Sequence, residues 1–367
     1  MKKIAHLFNS IEYSGAERMI FTLRDFYNTG LKPYAISTGK EEGAFYSEFG
    51  KYFATCHLPV SARRNIQYVK DFFKMIRFYK KEKIDILHIH PSKRFLFHVL
   101  AAKIGGVKKI VRQVHNNFYF TGLVKLKEKL GRKIALKLGV TIIAISKSVH
   151  ETEKTRFKTK TILVNNFFDE DKIYPGTENE KKVLRKALNI PENSFCIISI
   201  GSCIERKQHS HIIEMIKIVK ETIPSIFYIH LGNGDLCEKE KDLASTYKLS
   251  ETILFAGNQN NVRDYLVISD VYVITSAYEG IGIASIEAMG AGIASVLYDT
   301  PGSQELGEGK APAILVKPDV ISLSEKIKEI YFDPALRAKI ASESIDYAIN
   351  EYSKKRAIKE WQKIYNI

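Results

Sequence analysis

Val271-Tyr-Val-Ile-Thr275-Ser276-Ala-Tyr-Glu279-Gly280-Ile281-Gly282-Ile283-Ala-Ser-Ile-Glu287-Ala-Met-Gly-Ala-Gly292 reads as a strand, a glycine-rich turn and a helix. The β-branched run Val271–Thr275 predicts the strand. The glycines let the chain turn sharply and approach a ligand closely. The helix is predicted to start near Ile283 or Ala284. Its first backbone N–H groups and positive dipole end suit a diphosphate. Glu279 precedes the helix and Glu287 falls on its second turn, so the two share no helical face. They can instead reach different parts of one elongated ligand. An ordinary strand–turn–helix with two solvated glutamates fits the same pattern, and geometry alone leaves both readings open.

Working outward, short Ile- and Val-rich runs alternate with amphipathic helical stretches. Strands are predicted at Lys3–Phe8, Tyr34–Thr38, Asp85–His90, Lys109–His115, Thr141–Ser146 and Thr161–Val164. A second series comprises Phe195–Gly201, Ile226–Leu231, Thr252–Gly257, Val271–Thr275, Ala294–Leu297 and Ala313–Val316. Helical patterns such as Asn65–Lys81 and Phe95–Ile104 lie between them. Strand–helix repetition implies parallel sheets covered on both faces. The two series imply two doubly wound, Rossmann-like domains of the α/β class, and 367 residues suit that number. The polar stretch Asn166–Pro191 is the expected linker. The domains are then residues 1–170 and 171–350, with the last helix (about 351–367) packing back on the first. Ligands of such sheets bind beyond the carboxyl ends of the strands, so the expected site is a cleft between the domains.

Composition is globular, with 45% apolar and 26% charged residues. No apolar run reaches the ~18 residues that a membrane span requires. The start, Met1-Lys2-Lys3-Ile4, reads as a first strand rather than a signal peptide, so the expected location is the cytoplasm. The charge is uneven: residues 1–175 hold 33 Lys and Arg against 15 Asp and Glu, whereas the remainder holds 23 against 26. A basic half of this kind points to nucleic acid or to an anionic membrane. Leu123, Leu126, Leu130, Ile134 and Leu138 form a helical stripe among lysines. It fits a helix packed on the sheet better than one lying on lipid. Cys56, Cys196, Cys203 and Cys237 form no Cys-x-x-Cys pair, so neither a disulfide framework nor a zinc site is expected.

Glu279 and Glu287 reproduce the E-x7-E motif of retaining GT-B glycosyltransferases, and the Ser-x-x-Glu-Gly and Glu-Ala-Met-x-x-Gly words around them match as well. The chain thus resembles glycosyltransferase family 4. Other words agree in order along nearly the whole chain. Ser14-Gly15 resembles the family's glycine-rich turn after the first strand, with Gly15 carrying the expectation. Val111–His115 resembles a strand ending in a histidine that touches the donor sugar. Val164-Asn165-Asn166 resembles the turn entering the linker. Gly201-Ser202-Cys-Ile-Glu-Arg206-Lys207 resembles Gly-Arg-x-x-x-x-Lys, with Ser202 in place of the arginine. Leu231-Gly232-Asn233-Gly234 and Phe255-Ala256-Gly257 match two further words.

The resemblance implies a GT-B architecture in which the first domain holds the acceptor and the second the nucleotide-sugar. It implies Glu279, Lys207 and His115 as catalytic residues. Gly15, Ser202, Arg206, Lys207, Gly257, Asn258, Glu279 to Ile283 (through Gly280, Ile281 and Gly282) and Glu287 are implied as donor-binding. Glu287 would accept from a ribose diol, Glu279 from sugar hydroxyls, and Lys207 would meet the diphosphate, with no metal and no cofactor. The expected function is retaining hexosyl or N-acetylhexosaminyl transfer from a nucleotide-sugar, UDP-linked by preference, to a lipid-linked or glycan acceptor in surface-polysaccharide synthesis. A peripheral position on the inner face of an anionic membrane follows, and nucleic acid is not an expected partner. The rivals are a catalytically silent scaffold, kept open by Ser202, and a basic nucleic-acid-binding protein. Asp169-Glu170-Asp171 has the spacing of a metal-binding Asp-x-Asp but falls in the linker, and His88 and His90 on a buried strand read as core histidines.

Overall fold

A computed structural model describes residues 1–91 and 93–367, and it divides the chain into two compact units. One comprises Met1–Asn166 with Ala357–Ile367; the other comprises Phe167–Arg356. Each is built on one all-parallel sheet.

The first unit contains β1 (Lys2–Phe8), β2 (Leu31–Ser37), β3 (Ala54–His57), β4 (Ile86–Ile89), β5 (Lys109–Val114), β6 (Thr141–Ala144) and β7 (Ile162–Leu163). Their spatial order is β3-β2-β1-β4-β5-β6-β7. The edge strand β3 carried no sequence signal, because it is four residues long and largely half-buried, without alternation. The side-chain period of two sorts β1 cleanly. Ala5 and Leu7 join the apolar core under the helices, while His6 and Phe8 point to the other face. Register pairs His6 with His88 on β4, so histidines accumulate on that second face. The final helix, Lys354–Tyr365, supplies its covering: Trp361 and Tyr365 lie against His88.

The second unit contains β8 (Phe195–Ile200), β9 (Ile226–Leu231), β10 (Ile253–Gly257), β11 (Val271–Ile274), β12 (Ala294–Tyr298) and β13 (Ile314–Val316), ordered β10-β9-β8-β11-β12-β13. This is the doubly wound order with its switch between β8 and β11. Both faces are buried. Cys196, Ile198, Tyr272 and Ile274 serve one core, and Ile197, Tyr228, Val271 and Val273 the other.

Two expectations need correction. The stretch 166–191 is not a bare linker, because it contains the helix Glu178–Ala187. Arg185 fastens that helix, donating to the Ile268, Glu192 and Ser194 carbonyls and pairing with Asp270 at 2.9 Å. Charged residues there are partners within a fold, and composition alone cannot distinguish that from solvation. The second correction concerns the helix Gly122–Lys137. Most of its stripe does not pack on the sheet: Leu123 is 85%, Leu126 63% and Leu130 57% exposed, and Leu138 at its end packs against the core. Its buried side holds Ala135 and Arg132 instead. Arg132 pairs with Glu153 at 2.7 Å and with Glu128 at 2.8 Å, and stacks over Phe157. Among the described residues no helix is long and apolar enough to cross a membrane.

Candidate functional site

The carboxyl ends of β8, β9, β10 and β11 bring together most of the residues that the sequence singled out in the second half. Glycines permit the close approach. Gly201 N–H bonds Leu231 O, and Gly232 N–H bonds Gly257 O, both at 2.9 Å. Gly232 has φ +147°, and a Cβ there would lie 1.9 Å from the Gly201 carbonyl oxygen, so no other residue fits. Gly257 sits in the left-handed region at φ +66°, and Asn258 follows it, exposed, in the loop.

After β8 the chain forms a short 3-10 turn, Glu205–Lys207, before the helix His209–Val219. The turn is clamped from β11. The Thr275 hydroxyl lies 2.9 Å from the carbonyls of both Lys207 and Gln208, and Ala277 N–H donates to Arg206 O. Lys207 is thereby aimed at Glu279, with its ammonium ion-paired to the Glu279 carboxylate. Ser276 Oγ donates to the same carboxylate oxygen at 2.7 Å, and Arg206 Nη1 stands 3.9 Å from it. Both Lys207 and Glu279 are about nine-tenths buried. Burial alone would raise the carboxyl pKa; Lys207, Ser276 and Arg206 outweigh it and hold Glu279 below the usual carboxylate range. Ser202, by contrast, is exposed and takes no part in this cluster of charges.

The turn that follows is shaped around that carboxylate. A Cβ at Gly282 would come within 2.7 Å of Glu279 Oε2. The helix Ile283–Gly290 begins where the spacing predicted, with Gly282 as its N-cap. Ser285 and Ile286 N–H groups already bond Gly282 O, which leaves those of Ile283 and Ala284 outside the helix's own bonds. Glu287 is half-buried on the next turn. Sequence reasoning missed the support from β12. Glu279 N–H donates to Pro301 O, Thr300 Oγ1 donates to Ser276 O, and Gly302 (φ +96°) packs flat on the 279–280 backbone. The Thr300-Pro301-Gly302 turn signal was present in the sequence; only its neighbour was not.

The first unit holds the remaining candidates. Gly15 opens the helix Gly15–Thr22, with Ser14 at its N-cap bonded to Glu17. His115 follows β5 and contacts His90 at 3.1 Å, which in turn contacts His6 at 3.2 Å. His88 contacts the Tyr365 hydroxyl at 2.7 Å. Burial lowers the pKa of all four histidines, that of His115 to about 4, so each is neutral at pH 7.

Asp169-Glu170-Asp171 has a structural duty. Lys354 pairs with both aspartates, and Glu170 accepts from the backbone N–H groups of Lys354 and Lys355, which caps the final helix. The cysteines also depart from expectation. A disulfide joins Cys203 and Cys237, whose Cα atoms are 5.3 Å apart. They follow the neighbouring strands β8 and β9, and that adjacency is invisible at a sequence separation of 34.

Two family models match the chain: "Glycosyltransferase Family 4" over residues 13–172 and "Glycosyl transferases group 1" over residues 180–346. The chain belongs to glycosyltransferase family 4. An Escherichia coli relative of this family 4 chain, UDP-Gal:alpha-D-GlcNAc-diphosphoundecaprenol alpha-1,3-galactosyltransferase, is 27% identical over 86% of the chain and 84% of its own length. Among solved structures, a glycosyltransferase from Rickettsia africae superposes with a TM-score of 0.84 at 20% identity, covering 100% of this chain and 98% of that one. Anabaena HepE, in complex with UDP and glucose, superposes with a TM-score of 0.83 at 17% identity over the full length of both. The family 4 chain therefore has the GT-B fold, two parallel-sheet α/β units, and glycosyltransferase activity.

Proposed function

We propose that this glycosyltransferase moves a hexosyl or N-acetylhexosaminyl group, with retention, from a UDP-sugar to a lipid-linked or glycan acceptor in surface-polysaccharide synthesis. The observation that carries the reading is the Lys207–Glu279–Ser276 cluster beside the open N-terminus of the helix Ile283–Gly290. A departing nucleoside diphosphate gains negative charge. Lys207, Arg206 and the Ile283 and Ala284 N–H groups offer fixed positive ends to receive it without a metal ion at the phosphates. Arg206, 3.9 Å from Glu279, supplies the second cation that Ser202 lacks. Glu279 accepts from sugar hydroxyls, and Glu287 from the ribose. Gly257 and Asn258 are assigned to the base. In the first unit, Gly15 and His115 are the assigned residues, with His115 as a neutral hydrogen-bonding group. The galactosyltransferase relative acts on a diphosphoundecaprenol-linked sugar, and HepE was captured with UDP, which supports the choice of acceptor and nucleotide.

A lipid-linked acceptor brings the enzyme to a membrane. Three helices of the first unit expose apolar side chains among cations: Ile66, Val69 and Phe73; Leu100 and Ile104; and Leu123, Leu126 and Leu130. Val69, Leu100 and Lys127, one from each helix, line one groove, so the three helices adjoin. Leucines flanked by lysines suit an anionic lipid surface, whereas nucleic acid offers the leucines nothing to bury against. The test is a transfer screen over UDP-, GDP- and ADP-sugars with lipid-linked glycan acceptors, the product anomer being read by NMR. Turnover of a UDP-sugar with retained configuration is expected. Inversion would overturn the stereochemical assignment, and binding of UDP without any turnover would favour the silent scaffold.

A further inference from the structure

Beneath the turns that follow β8 and β9 lies a second cluster, which the transfer chemistry does not use. Cys203 follows β8 and His230 lies on β9. His209 opens one helix, and Glu240 lies on the helix Cys237–Thr246. All four are at least 95% buried. Their ligating atoms lie within 4.8 Å of one another. Cys203 Sγ is 3.2 Å from His230 Nε2, and His209 Nδ1 is 3.4 Å from Glu240 Oε1. We propose that Cys203, His209, His230 and Glu240 form a closed structural site for a divalent zinc-class ion, available when Cys203 is released from Cys237 by reduction.

Three observations support this assignment. The first is spacing: metal–ligand bonds of about 2.0–2.3 Å in a tetrahedron put neighbouring ligand atoms roughly 3.3–3.8 Å apart, close to the two separations found. The second is dissatisfaction. His209 Nδ1 and Glu240 Oε2 have no hydrogen-bond partner although both are buried. Leaving such groups unpaired is costly, and a cation satisfies both at once. The third is orientation: Ser199 Oγ lies 3.1 Å from His230 Nδ1, with Tyr228 OH behind it, which leaves Nε2 to face the cluster. One thiolate, one carboxylate and two neutral imidazoles carry two negative charges, matching a divalent ion, and the mixed S, N and O set suits zinc.

The sulfur of Cys203 has two alternative partners. As the disulfide with Cys237 it cannot ligate. A dithiol reductant delivers two electrons and two protons to that disulfide and itself becomes a disulfide, and the metal then displaces the remaining proton from Cys203 Sγ. Oxidation runs the reverse course and expels the ion. Either state staples the same backbone, where Cys203 N–H bonds Asn233 O and Leu236 N–H bonds Cys203 O. That backbone leads directly to Lys207.

The test uses the full chain, reduced with a phosphine and loaded with cobalt(II), then with zinc. The expected result is one equivalent of metal per chain, with the visible bands of tetrahedral cobalt and a thiolate charge-transfer band. Zinc should displace the cobalt. The variants C203S and E240Q should lose that equivalent, while C56S and C196S keep it. Oxidation with diamide should release it and yield a Cys203–Cys237 peptide by mass spectrometry. No tetrahedral cobalt spectrum in the reduced wild-type chain would overturn the proposal, whatever the variants do. So would equal loading of C203S, or of the oxidised chain. None of these readings depends on sugar transfer, so failure of the donor-site assignment leaves them intact.

Discussion

Replacing Lys207 by methionine tests the central ion pair most directly. The substitution keeps the length and apolar stem of the side chain but removes the charge facing Glu279. The carboxylate, 8% exposed, then loses its ion pair while the Ser276 hydroxyl at 2.7 Å and the Arg206 guanidinium at 3.9 Å stay in place. Stranding one member of a buried pair costs about 3–5 kcal/mol, and the surviving Arg206 argues for the lower end. A body of 150–250 residues loses ~2–4 °C per kcal/mol, so the second unit should melt roughly 6–12 °C earlier at pH 7. The pH dependence has a definite sign. In the parent protein Glu279 titrates below its unfolded value, so it contributes stability at neutral pH that is lost as pH falls through the folded value. In the methionine variant burial dominates and the carboxyl titrates above its unfolded value. The variant is therefore worst at neutral pH, and its deficit narrows towards pH 4. Changing Glu279 to leucine in the same chain should restore most of the lost stability, since no buried charge is left alone. Scanning calorimetry of the three proteins at pH 7 and pH 4.5 decides the matter. A single variant within 1 kcal/mol of the parent, or a deficit that does not shrink in acid, refutes the reasoning.

Glu287→Ala should weaken UDP binding about 10- to 150-fold, the worth of roughly 1.5–3 kcal/mol for hydrogen bonds to an ionised acceptor; unchanged affinity by calorimetry removes the ribose assignment. Asp171→Asn should leave transfer unaltered and added manganese should not stimulate it, because Asp169 and Asp171 serve Lys354; a manganese requirement abolished by the substitution would restore the metal reading. Leu126→Asp with Leu130→Asp should lower binding to anionic vesicles several-fold while thermal stability holds, both side chains being exposed; sedimentation with equal binding would show that the stripe does not meet lipid. The four buried histidines of the first unit titrate below 6.5 when folded, so the unfolded chain binds more protons beneath that value. The melting temperature should therefore drop between pH 7 and pH 5, and a smaller drop is expected for His6→Phe.

The sequence by itself determined the local and periodic features of this protein. Ile- and Val-rich runs separated by amphipathic stretches fix two parallel α/β sheets, because hydrophobic period and chain length leave few other solutions. Gly282 followed by Ile283 fixes a helix start, and Glu279, Glu287 and Lys207 stand in words short enough to read directly. Tertiary structure decided what depends on neighbours far apart in the chain. Lys207 and Glu279 looked like separate contributors, yet β8 and β11 lie side by side and make each the other's partner. The leucines of the helix Gly122–Lys137 had a core-like spacing, but Arg132 took the buried side because Glu153 waits there. Cys203, His209, His230 and Glu240 share no motif, and only the parallel order of β8 and β9 brings them to one point. Periodicity records which face of an element is apolar, whereas the identity of the side chain across the gap is set by strand order.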